Sequence, residues 1–175
     1  THAIVEQLKV KLLPLEKESI GQTPTANIAA YTYSLRGRQF LHRHSKSYYQ
    51  LARRMFAKAV ELDPAYARAY AGIADCDSFL FLHYHVDVAI DSILATSAQA
   101  IALESGLAEA HASRGLALSL VQRYDEAMAE FVAYCARQPI AIVPQGANTS
   151  YCAGPTPRPS GNEILLSLRR LRKIR

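Results

Sequence analysis

Several things are scarce in this 175-residue chain, and each scarcity removes a class of function. No apolar run approaches the roughly 20 residues that a membrane-spanning helix needs. The opening THAIVEQLKVKLL is amphipathic and does not read as a signal peptide. The cysteines are three, Cys76, Cys135 and Cys152. They follow no metal-ligand spacing and leave an odd thiol, which points to a reducing, cytoplasmic setting over a disulfide scaffold. Nothing resembles a GxSxG elbow, a P-loop or a dinucleotide-binding glycine pattern, and no nucleophile, base and orienter can be assembled. Catalysis is therefore not expected, and neither is a cofactor. Acids are also scarce late in the chain. Residues 136–175 hold seven Lys and Arg against Glu163 alone, whereas 1–135 are nearly balanced, so the net charge of +5 belongs to the tail.

Two histidine pairs, His42-Arg43-His44 and His83-Tyr84-His85, invite a metal reading. On a helix, positions i and i+2 point about 200° apart, so neither pair chelates there. No metal is expected, and the histidines read as turn residues in solvent or against aromatics.

What is abundant is small and apolar residues at helical spacing. In LARRMFAKAVELDPAYARAYAG, starting at Leu51, Ala52, Phe56 and Ala59 share one helix face. Asp63 and Pro64 end that helix and start another carrying Ala69, Tyr70 and Ile73, with Asp63 as its N-cap. Upstream, Asn27 or Thr25 caps a helix with Tyr33, Gly37 and Phe40 in a stripe. Ser45 caps the next, over about 46–62. Downstream, Ser105 takes the place of Pro64 at a distance of 41 residues, which places seven additional residues in FLFLHYHVD. They either lengthen one helix or form a loop before Val88, Ile90, Ile93 and Leu94. A third pair places Gly115, Ala127 and Phe131 ahead of Pro139.

These small, aromatic, small and proline positions resemble the tetratricopeptide repeat, a helix hairpin of 34 residues. LRGRQFLHR followed by ELDPAYARAYAGIAD further resembles the repeat region found C-terminal to bacterial class III adenylate cyclase domains and to winged-helix activators. The resemblance implies an all-α superhelix of about three hairpins over 27–139. It also implies protein–protein interaction as the sensory or scaffold half of a bacterial signalling protein. Ligands of that family lie along the concave face of the first helices of each pair. The positions that match are Tyr31, Ser34 and Arg38, then Arg68, Ala71, Asp75 and Ser78, then Glu109, Ala112, Leu116 and Ser119. Arg38 and Arg68 can grip an acidic side chain or a peptide C-terminus, or they can pair with Asp75 or Glu109 across the groove. Tyr33 and Tyr70 are assigned to packing.

The flanks read differently. Residues 1–22 place Val5, Leu8, Leu12 and Leu15 at helical spacing, with Pro14 dividing the segment. Thr1 in place of Met fits a piece of a longer protein. Four prolines and three glycines make 140–162 irregular, and 163–175 regain a helical stripe at Ile164, Leu168 and Leu171 as a basic helix or tail. Two other readings stand beside partner binding. One is self-association into a homodimer through the uncapped last hairpin; the other, less favoured, is nucleic-acid or anionic-surface binding through the tail.

Overall fold

A computed structural model describes residues 24–138, 140–145 and 163–167. The segment 1–22, expected to be helical, lies outside them. The described chain runs through six helices: α1 Ile28–Leu41, α2 Lys46–Leu62, α3 Ala67–Tyr84, α4 Ile90–Leu103, α5 Ala108–Leu120 and α6 Tyr124–Arg137. Each helix packs on the next, and α3 also packs on both α1 and α5. The molecule is thus an all-α array of three hairpins, with α1, α3 and α5 in one layer and α2, α4 and α6 against it.

Local chemistry sets the boundaries. Asn27 caps α1 by accepting from the Ala30 amide at 3.0 Å, and Ser45 caps α2 by accepting from Tyr48. Asp63 does not cap α3 as expected. It closes α2, and its Oδ1 accepts from the Ala65 amide at 3.0 Å in an Asx turn that carries Pro64. Helix α3 begins later, with Tyr66 at its cap position. A short aspartate side chain reaches its own backbone two residues on more readily than an amide beyond the intervening proline turn.

The repeat is visible in the packing. Ala59, Asp63, Tyr66 and Ala69 recur as Ala100, Glu104, Leu107 and Ala110. The Tyr66 amide donates to the Asp63 carbonyl and the Leu107 amide to the Glu104 carbonyl, both at 3.1 Å. Ala59, Tyr66 and Ala69 form one core cluster, and Ala100, Leu107 and Ala110 another. Deeper in the hairpin the two repeats exchange sizes: buried Ala52 and Phe56 become buried Ile93 and Ser97. A large side chain beside a small one fills the layer either way. The seven additional residues are shared between a longer α3, of 18 residues, and a loop before Ile90.

All three turns within hairpins contain a non-glycine residue in the left-handed region: His44 and His85 at φ 48° and Gln122 at φ 59°. At the end of α5 the Arg123 amide bonds Leu118 O and the Gln122 amide bonds Ser119 O, each at 3.1 Å, which satisfies carbonyls that the helix leaves open. Exposed Gln122 bears the steric cost of that conformation. Gln122→Gly is therefore expected to stabilise the array by about 0.5–1 kcal/mol, seen as a higher urea midpoint at unchanged slope.

Where the described residues reach beyond α6, they form a strand pair in place of the irregular chain expected at 141–145 and the basic helix expected at 163–167; 146–162 and 168–175 lie outside them. β1, Ala141–Gln145, runs parallel to β2, Glu163–Ser167, in a register that sets Ala141 beside Glu163 and Ile142 beside Ile164. The short apolar runs Ile140–Val143 and Ile164–Leu166 suit strands better than the sparse stripe suits a helix. Leu168 and Leu171 lie outside the described residues. β1 packs against α6, so the strands sit beside the helical array and not within it.

Candidate functional site

The layer of α1, α3 and α5 sorts the expected groove residues into three kinds. Ser34 and Ser78 are 1% and 0% exposed and their hydroxyls lack a hydrogen-bond partner, so they lie between helices and not in an open groove. Ala71 is likewise buried. Their spacing suits a groove-facing position, but their small size lets the neighbouring helix close over them. Ser119 is half-buried and donates to Leu116 O of its own helix at 2.7 Å. Leu116 is half-buried, and Ala112 and Glu109 are exposed. Tyr31 is also exposed.

Arg38 and Arg68 are half-buried, and neither forms an ion pair with Asp75 or Glu109. The ion pairs among the described residues are Arg53–Asp77, Lys58–Glu61, His111–Glu130 and Arg123–Glu126. The Arg68 Nε is buried without a hydrogen-bond partner. The two guanidinium groups are thus not consumed by acids of the same face.

The structure does bring Asp75 and Glu109 together, through a residue that the sequence did not single out. The Ser113 hydroxyl lies 2.7 Å from Asp75 Oδ1 and 2.9 Å from the Glu109 carbonyl oxygen. Its single proton goes to the carboxylate, the stronger acceptor at the shorter distance. Burial, reinforced by the negative charge of Glu109, pushes the Asp75 carboxyl up to about 6, against the opposing effect of the Ser113 hydrogen bond. The face is mixed in charge, with two arginines toward one end and two acids toward the other.

Two further polar contacts were not legible. Asp77 is buried and accepts from Arg53 Nε at 2.5 Å, tying α3 to α2. His111 is buried between Glu130, 2.5 Å from Nδ1, and the Ser105 carbonyl oxygen, 2.9 Å from Nε2, with the Tyr134 ring at 5.0 Å. Both pairs join residues far apart in sequence, where no local spacing announces them.

One histidine of each pair packs on aromatic rings at a hairpin tip, and His42 and His85 are exposed. His83 stacks on Phe79 at 5.9 Å, and Phe79 stacks on Tyr49 at 5.3 Å. His44 meets Tyr49 edge-on, with Nδ1 at 3.1 Å from the hydroxyl. Among the described residues no three His, Cys, Asp or Glu side chains gather as metal ligands would. The Cys76 and Cys135 thiols are buried, and burial raises the pKa of both. No helix among the described residues is long and apolar enough to cross a membrane.

Fold and face together define an array of helix hairpins with one mixed-charge side. No protein-family profile matches the chain. It is 29% identical over 130 residues to the protein named Putative adenylate cyclase 3 of Rhizobium meliloti (strain 1021), an alignment covering 73% of this chain and 22% of that protein. The chain therefore spans about a fifth of the length of the curated relative it matches.

Proposed function

We propose that the hairpin array is a tetratricopeptide-like protein-binding module, the sensory or scaffold half of a bacterial signalling protein, with the catalytic work done elsewhere. The similarity to a limited part of a protein named for adenylate cyclase supports this reading. The observation that carries it is the pair Arg38 and Arg68, two cations on the α1–α3 layer that no acid of the same face neutralises. Guanidinium binds carboxylate in a two-pronged fashion, so the partner class is a peptide that presents a free C-terminus or an acidic side chain.

The test is fluorescence anisotropy with a peptide library synthesised in free-acid and amidated forms. The free-acid form of the best binder is expected to bind about tenfold more tightly than its amide, and Arg38→Ala/Arg68→Ala to erase that difference. Equal binding of both forms, or no binding by any peptide, would overturn the reading.

A further inference from the structure

Asp75 stands where the basic and acidic ends of the face meet. It follows Arg68 by two helical turns on the same side of α3, about 10 Å along the axis. On the neighbouring α1, Arg38 holds the equivalent place. Ser34 with Ala71 and Gly37 with Ala74 keep the same spacing as Arg38 with Asp75, and all four are buried. Helices α1 and α3 pack on each other, and packed helices lie about 8–10 Å apart. Asp75 is therefore roughly 10 Å from both arginine positions, close enough to act on an ion held there and not bonded to either side chain.

The groups around the Asp75 carboxyl leave its charge uncompensated. From α5, the Ser113 hydroxyl holds Oδ1 at 2.7 Å and Glu109 adds a like charge. From α2, Arg53 is engaged by Asp77 at 2.5 Å, and the acids of α4, Asp91 and Glu104, lie at the two ends of that helix. Burial next to Glu109 is what lifts the carboxyl to about 6. Between pH 5 and pH 8 the face thus gains one negative charge, at its midpoint, beside two cations that stay charged throughout.

We propose that the proton on Asp75 controls the strength of the binding face: with it in place Arg38 and Arg68 hold a carboxylate ligand fully, and without it the Asp75 anion repels that ligand and loosens it. The inference rests on the carboxylate-binding reading above and deepens it from the class of partner to its regulation. At about 10 Å, with the effective dielectric of a protein surface and 20 mM salt, one such repulsion changes affinity about fivefold. The coupling is reciprocal, so the bound carboxylate tightens the hold of Asp75 on its proton, and the complex takes up protons as it forms.

The probe is an N-acetylated free-acid peptide from the same library, one that binds and has no other titratable side chain. Its terminal carboxyl is ionised from pH 5 to pH 8, so its own charge is constant. In 20 mM salt the wild type is expected to bind it about fourfold more tightly at pH 5 than at pH 8. Asp75→Asn, which keeps an acceptor for Ser113, is expected to bind at the tighter level at both values, and 0.5 M salt to flatten the wild-type profile. The same pH profile in both proteins overturns the control by Asp75. If the preference for free acid over amide survives in that case, the arginine reading stands alone; if no free-acid peptide is preferred, both fall. Calorimetry of the wild type at pH 6 in two buffers of different ionisation enthalpy needs no variant. It is expected to show uptake of about a third of a proton per peptide bound, and no uptake overturns the proposal.

Discussion

Gly72→Ala is expected to lower the melting temperature of the array by roughly 5–10 °C, although alanine is the better helix former. Propensity alone gives the opposite sign, a gain of about 1 kcal/mol for a glycine inside a helix. The contact decides otherwise. A Cβ on Gly72 would stand 2.6–2.7 Å from Cζ, Cε1 and Cε2 of Phe56. The ring has no retreat, because a Cβ on Gly37 would meet the same ring at 2.8–2.9 Å. Phe56, 1% exposed, is held between α1 and α3 by two helices whose glycines let it in. Overpacking of this kind costs about 2–3 kcal/mol. Shrinking the ring should relieve it: Gly72→Ala is expected to be much less harmful in a Phe56→Leu background than in the wild type, a coupling that a double-mutant cycle of thermal melts reads directly. A higher melting temperature for Gly72→Ala alone would show that the ring does shift, and would remove the sandwich from the account of this core.

That sandwich also shows what local sequence reveals and where it stops. The limits of α2, the cap at Ser45 and the facing of Ala52, Phe56 and Ala59 follow from signals within a few residues of each other, and the structure has them; of the two caps open for α1, Asn27 and Thr25, it uses Asn27. The offset of 41 residues between the first two repeats was likewise legible, because Pro64 and Ser105 mark equivalent turns. Glycine 72 is different: helical spacing places it near the core, but only the three-helix arrangement shows that its missing side chain is filled by Phe56. The candidate face was legible in outline and misread in detail. The resemblance implies groove-facing positions for Ser34 and Ser78, yet both are buried between helices. Ser113 was overlooked because a serine one helical turn beyond Glu109 carries no signal until α3 brings Asp75 to it. The strand pair was missed for a related reason: Ala141–Gln145 and Glu163–Ser167 are partners across a long sequence gap, and each run alone is too short to distinguish strand from helix.

Asp75 yields the second large effect, and its sign is opposite to that of most structural acids. Its carboxyl, at 3.8 in the unfolded chain, rises to about 6 in the folded one because burial beside Glu109 disfavours the charge. Between these values the folded protein holds a proton that the unfolded chain has released, so stability falls as pH rises from about 4 to about 6 and the loss is complete above that window. A shift of this size corresponds to on the order of 2–3 kcal/mol at neutral pH. Asp75→Asn removes the titration while leaving an amide oxygen to accept from the Ser113 hydroxyl, now 2.7 Å from Oδ1. The variant is therefore expected to be more stable than the wild type at pH 8 by about 2 kcal/mol, with the advantage shrinking toward zero near pH 4. Urea titrations of both proteins at pH 4.5, 6 and 8 give the difference, in which the contributions of all other titrating groups cancel. A difference that stays constant across that range would mean that Asp75 is ionised and solvated in the folded chain, and that the acidic end of the α3–α5 face carries no burial penalty.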